Sequence, residues 1–166
     1  MAVDTALIGT KTGSSTIALE RGPISNFARA LKDENPIYHD SRVAEAAGFG
    51  AIPAPPTWAF AMAHWGTFPE IQPPPDPEAD TQLMAKVIGG LMANGGLILH
   101  GEQEFVYHRP LVSGDVVRSD GRVVDLYEKE SKGKTMTFLV IETVYSDEKT
   151  GEPIVTARFN LIHRSA

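Results

Sequence analysis

The chain predicts a single α+β domain in which an antiparallel sheet of about five strands wraps round one apolar helix. Three observations carry that expectation. From Leu97 onward, four long segments are rich in Val, Ile, Thr and aromatic residues and are separated by turn signals. The first half instead spaces its apolar residues at helical intervals. One of its segments, "PPTWAFAMAHWGTF", is apolar nearly all round, so it must be buried, and only the strands that follow offer a surface large enough to bury it. A chain of 166 residues is the size of one ordinary domain, so residues 1–166 are expected to form one unit.

Each element has a local reason. "SSTIALE" near the N-terminus reads as the first strand. In "ISNFARALKD", Ile24, Phe27, Ala28 and Leu31 fall on one helical face. "SRVAEAAG" is a short amphipathic helix, with Asp40 as its N-cap and Gly48 at its end. The buried helix comes next, and then "PEIQPPPDPEAD" places five prolines between Pro69 and Pro77, which requires an exposed loop. "TQLMAKVIGGLMANGG" adds one more amphipathic helix whose glycine pairs are weak points, so residues 69–96 form a Pro-rich and helical insertion. The strands are "LILHGEQEFVYH", "DVVRSDGRVVDLYEKE", "KTMTFLVIETVYSD" and "EPIVTARFNLIHR". The turns "SGD", "SKGK" and "DEKTGE" join them, and connections this short predict antiparallel neighbours.

Composition narrows the chemistry. A hydrophobic fraction of 42% with 22% charged residues is that of a soluble globular chain. No apolar run reaches membrane-spanning length, and "MAVDTALIGT" lacks the basic start and apolar core of a secretion signal, so a cytoplasmic protein without a membrane partner is expected. With no cysteine there is no disulfide, thiolate nucleophile or thiolate metal site. Fifteen basic and 21 acidic residues give a net charge of -6, and no basic stripe exists to hold nucleic acid. His64, His100, His108 and His163 lack metal-ligand spacing and read as structural, so no metal is expected. The glycine pairs at 89–90 and 95–96 lack the strand-loop-helix setting of a phosphate loop.

Three separated stretches, "DENPIYHDSRVAEAAGFG", "IPAPPTWAF" and "LHGEQEFVYHRPLVSGD", resemble the MaoC-like dehydratase family, in the branch that is similar to the fatty-acid-synthase dehydratase domain. The resemblance runs from about Ile8 to Arg164, apart from the insertion. It implies a hot-dog fold, no cofactor, and a homodimer or a heterodimer with a second hot-dog subunit. The implied ligands are acyl thioesters of coenzyme A or acyl carrier protein. The implied reaction is (R)-specific hydration of trans-2-enoyl thioesters, or the reverse dehydration of 3-hydroxyacyl thioesters.

Such a reaction needs a base for water, an acid for the alpha carbon, and donors for the charge that develops on the thioester oxygen. The hydratase motif of the family is Asp, any residue, Asn, Pro, aliphatic, His, any residue, Asp. Laid on this chain without a gap, it matches Asp33, Asn35, Pro36, Ile37 and Asp40, while the catalytic His falls on Tyr38 and His39 stands one place late. Asp33 is the candidate base, with His39 or Tyr38 as its partner. A tyrosine with an ordinary pKa near 10 is a poor base at neutral pH. Asn35 is expected to hold the loop beside the substrate. Where the family carries a His-Gly pair at the start of the central helix, this chain reads Ala54, Pro55, Pro56, Thr57. Pro56 has no N–H to donate, so carbonyl binding falls to the Thr57 and Trp58 amides and the positive end of the helix. Arg109 and Asp115 in "YHRPLVSGD" are expected to organise a turn.

The expectation is therefore an enoyl-thioester hydratase or 3-hydroxyacyl dehydratase using Asp33 with His39 or Tyr38. The alternative is a non-catalytic acyl-binding subunit paired with a sister chain that carries the full motif. A thioesterase ranks third, because "TWAFAMAHW" has no acidic residue. In the insertion, Met84, Val87, Ile88, Leu91 and Met92 are expected to form either an apolar lid over the acyl chain or additional core.

Overall fold

In the computed structural model, which describes residues 4–166, the strands occur where the segments rich in β-branched and aromatic residues place them. They are β1 (Lys11–Ala18), β2 (Leu97–Tyr107), β3 (Val116–Ser131), β4 (Lys134–Asp147) and β5 (Pro153–Arg164). All pairings are antiparallel, and the order across the sheet is β1-β3-β4-β5-β2. The β3–β4 connection is a tight turn in which Lys132 (φ 52°) and Gly133 (φ 73°) both take left-handed angles, the geometry that matches strand twist. At the β4–β5 turn, Asp147 accepts the amides of Lys149 (3.0 Å) and Thr150 (2.9 Å). One connection departs from expectation. The segment containing "SGD" joins β2 to β3, which are not neighbours, because β2 lies at the far edge beside β5. Residues 108–115 carry the chain from that edge to the start of β3 near the opposite side.

The helices are α1 (Arg21–Ala30), α2 (Ser41–Ala46), α3 (Trp58–Ala61), α4 (Ala63–Gly66) and α5 (Leu83–Met92). On α1, Ile24 and Ala28 are fully buried and Phe27 packs against the core, whereas Leu31 is half exposed. Leu31 is the C-cap, and the next residue, Lys32, turns left-handed (φ 58°), which swings the chain off the helical face. The apolar central segment is not one regular helix. It is the two short pieces α3 and α4, joined through Met62, which keeps helical angles (φ -59°, ψ -31°). Trp58, Ala59 and Met62 are buried against Ile17, Val117, Ile154 and Val155. The expected all-round burial is not met, since Phe60 is 48% and Trp65 59% exposed. The sheet covers one side of the segment and leaves the other open.

A second cluster, Leu83, Val123, Leu126, Leu139, Ile141 and Leu161, occupies the other end of the same sheet face. The α5 helix of the insertion covers it through Leu83, Met84, Val87 and Ile88. Beside this contact lies an apolar groove of about 500 Å³ that includes Leu7, Val87, Leu91 and Leu126. No described helix is long and apolar enough to cross a membrane.

Two glycines have opposite structural roles. A Cβ on Gly66 would collide with the Ala18 carbonyl and the Ile17 side chain, so only glycine lets α4 rest on β1. Gly89 lies in the middle of α5 with nothing near its would-be Cβ. Gly66→Ala is therefore expected to destabilise the fold by ~1–3 kcal/mol. Gly89→Ala is expected to stabilise it by ~0.5–1 kcal/mol. Thermal and urea melts of the two variants check both signs.

Candidate active site

The loop that carries the motif residues is held by α1. Ser25 Oγ donates to the Tyr38 carbonyl (2.6 Å) and the Arg21 guanidinium to the His39 carbonyl (2.8 Å). Asn35 caps a 3-10 turn over Pro36–Tyr38 by accepting the Ile37 amide (3.2 Å), and Asp40 caps α2 by accepting the Arg42 amide (2.9 Å). Arg42 also pairs with Asp40 (2.9 Å), and this bond holds the Asp40 carboxyl below its usual range. Asn35 and Asp40 thus serve the local backbone, as short polar side chains at helix starts do.

With both carbonyls fixed, neighbouring side chains go to different places. Tyr38 is buried and lines an apolar cleft of about 400 Å³ with Ile37, Phe49, Pro53, Pro56 and Leu111. His39 is half-buried and lines a separate polar pocket, also of about 400 Å³, with Arg29, Lys32, Asp33 and Glu34. The His39 Nδ1 is buried and makes no hydrogen bond. Asp33 accepts the Asn35 amide (3.1 Å). The structure therefore groups Asp33 with His39 in the polar pocket and places Tyr38 in the apolar cleft. Burial, and secondarily the nearby Asp33 charge, push the Tyr38 phenol above its ordinary pKa. It remains a protonated donor throughout the physiological range.

At the far wall of the cleft the start of the central helix offers few donors. The Trp58 amide, expected to be free, donates to the Pro55 carbonyl (2.9 Å), and Pro56 has none to give. The Thr57 amide makes no hydrogen bond among the described residues. The Trp58 ring is buried edge-on to Phe27 (5.1 Å), so it belongs to the core and not to the cleft.

Sequence reasoning did not place Tyr107 and His108 in this cleft, although both line it. The Tyr107 hydroxyl donates to the Pro56 carbonyl (2.7 Å), and the His108 ring meets the Thr156 hydroxyl (3.2 Å). Arg109 and Asp115 form a two-bond clamp (2.8 and 3.2 Å) that also reaches Asp147 (3.2 Å), while Asp115 accepts the Val112 amide (2.9 Å). The clamp holds residues 109–115 beside the strand ends, and those residues in turn hold the cleft wall. Pro53 bridges Val112, the Ala54 amide donates to Leu111, and the Ser113 amide donates to Ile52. The other histidines lie elsewhere. His64 is exposed on α4, His100 meets Phe60 and Phe159 edge-on, and His163 is buried against the Gly95 carbonyl (3.0 Å). Among the described residues, no three His, Asp or Glu gather as a metal site would require.

Residues 6–157 match the family model of the FAS1-like dehydratase domain region. A UPF0336 protein from Saccharopolyspora erythraea is 31% identical over 166 residues, which span 99% of this chain and 93% of that protein. Among solved structures, the HadBC (3R-hydroxyacyl-ACP dehydratase) complex from Mycobacterium tuberculosis aligns with a TM-score of 0.66 at 20% identity. The alignment covers 98% of this chain and 99% of that one. A MaoC-like dehydratase aligns with a TM-score of 0.71 at 20% identity, covering 97% of this chain and 43% of that one. The fold is theirs, a hot-dog sheet around a central helix.

Asp115→Ala removes both bonds to Arg109 and leaves the Val112 amide unpaired. The expected cost is ~2–3 kcal/mol of stability. Asp115→Asn keeps one acceptor and should lose about half as much, a difference that denaturant titration resolves.

Proposed function

Because the chain belongs to the family of FAS1-like dehydratase domain regions, within the MaoC-like hot-dog dehydratases, we propose that it is the acyl-binding half of a heterodimeric enzyme. That enzyme hydrates trans-2-enoyl thioesters or dehydrates 3-hydroxyacyl thioesters of coenzyme A or acyl carrier protein. The observation that carries the reading is Tyr38. It occupies the cleft where the family motif calls for histidine, and its phenol is held protonated by burial and by Asp33. A group that keeps its proton at neutral pH cannot accept one from water. It can donate a hydrogen bond and so orient a bound thioester. The base and acid then come from the sister chain.

Three further features support the same division of labour. Asp33 lines another pocket, Pro56 offers no amide to the thioester oxygen, and the walls of the cleft are mostly apolar. Its size suits part of an acyl chain. The groove beside α5 provides further apolar surface, and Val87 and Leu91 face it while Ile88 packs on the sheet cluster. The name of the HadBC complex identifies a dehydratase built from two different chains.

A second reading, a self-sufficient hydratase, has one observation in its favour. Asp33 and His39 line the same polar pocket, so a pair with suitable chemistry exists there.

Purified alone, the chain is expected to bind trans-2-enoyl-CoA thioesters by calorimetry without bleaching their conjugated double bond. Adding a sister subunit with a complete Asp/His motif should start turnover. Turnover by the chain alone that disappears in both Asp33→Ala and His39→Ala would establish the second reading instead. Tyr38→His should rescue hydration only weakly, because a missing carbonyl donor costs roughly 3 kcal/mol in the transition state. Leu91→Trp should shorten the longest acyl chain bound, measured across a length series, and an unchanged profile would remove the α5 groove from the acyl path.

A further inference from the structure

The walls of the Tyr38 cleft are fixed before any ligand arrives. Pro53, Pro55, Pro56 and Pro110 all line it, and a proline ring has no rotamers with which to adapt to a guest. The prolines are themselves held in place. Pro55 is fully buried, Pro53 bridges Val112, and the Pro110 carbonyl accepts from Arg109 (3.0 Å). Much of the cleft's shape is therefore set by the backbone, and a ligand must match it.

Much of the remaining wall is aromatic, with rings from Tyr38, Phe49, Tyr107 and His108. All four residues are tethered. Ser25 holds the Tyr38 carbonyl (2.6 Å), while the Phe49 amide donates to the Ala44 carbonyl (3.0 Å) and its side chain packs on the core. The Tyr107 hydroxyl is bound to the Pro56 carbonyl (2.7 Å), and the His108 ring meets the Thr156 hydroxyl (3.2 Å). Among the described residues none of these rings stacks on another, and Tyr107 meets only Phe105, with centroids 5.8 Å apart. They are spaced around the cleft and leave room between them. The groove beside α5 is lined differently, by the aliphatic side chains of Leu83, Val87, Leu91 and Leu126.

We propose that the cleft selects thioesters whose enoyl group is conjugated to an aromatic ring, the cinnamoyl group being the simplest, over straight-chain enoyl groups of equal carbon number. This selection rests on the acyl-binding reading above and gives that site its substrate class. With the Tyr38 phenol on the thioester, the group beyond the double bond meets Phe49, Tyr107 and His108. An aryl ring makes edge-to-face and offset contacts there that an alkyl tail cannot make. Conjugation also holds the ring coplanar with the double bond, so few torsions are frozen on binding, whereas a straight chain loses freedom at every methylene. Stiff walls favour a stiff ligand. A flexible tail is better served by the aliphatic groove.

Calorimetry of the full chain with thioesters of equal acyl carbon number tests this: trans-cinnamoyl-CoA, trans-2-nonenoyl-CoA, and 3-phenylpropanoyl-CoA, whose ring is not conjugated. Cinnamoyl-CoA should bind roughly tenfold more tightly than nonenoyl-CoA, with phenylpropanoyl-CoA between them. Phe49→Leu and His108→Leu should each lower the cinnamoyl preference about threefold. His108 is exposed, so its variant keeps the test available if circular dichroism shows that Phe49→Leu does not fold. Equal affinities for cinnamoyl-CoA and nonenoyl-CoA, or a preference unmoved in folded His108→Leu, would overturn the aromatic selection and leave the acyl-binding role intact. Binding of neither thioester would overturn both.

Discussion

The cleft depends on one fastening, the attachment of residues 52–54 to residues 111–113. Three contacts make it: the Pro53–Val112 bridge, the Ala54 amide on Leu111, and the Ser113 amide on Ile52. It places the start of the central helix against the crossing segment that leaves β2. The Arg109–Asp115–Asp147 clamp keeps that segment in place. Asp115 has only 12% of its side chain exposed, so its bonds to Arg109 compete little with water. Without the fastening, Tyr107 would not reach the Pro56 carbonyl, and the cleft would lose a wall.

A smaller constraint separates two adjacent residues. Successive side chains on an irregular turn point in different directions, so once α1 holds the carbonyls of Tyr38 and His39, their rings must part. Tyr38 takes the apolar side, where its hydroxyl keeps its proton, and His39 takes the polar side beside Asp33. The chemistry available in each cavity follows from that parting. The apolar cleft has a donor and apolar walls, and the polar pocket has the only Asp/His pair of the motif loop.

The insertion has two structural consequences. Its helix covers the second core cluster, which the short central helix does not reach, and its loop covers the β1 edge. A sheet with one covered edge and one open edge has a single direction in which to grow. Phe60 and Trp65 on the central helix likewise remain exposed, apolar surface that the sheet does not cover.

The sequence by itself determined what depends on neighbours along the chain. Richness in β-branched and aromatic residues between turn signals located all four long strands, proline spacing located the loop, and Asn35 and Asp40 acted as the local caps their residue types favour. The ungapped motif identified the loop worth inspecting. The tertiary structure decided what depends on residues far apart in sequence. It moved β2 to the edge beside β5, because strand order is set by burial of whole faces and not by loop length. It divided the central helix in two and left Phe60 and Trp65 open, since one sheet face covers only one side of a helix. It drew Tyr107 and His108 into the cleft across some fifty residues, and it used the Trp58 amide on the Pro55 carbonyl. Local patterns carry no information about such contacts, because their partners are fixed only when the sheet closes over the helix.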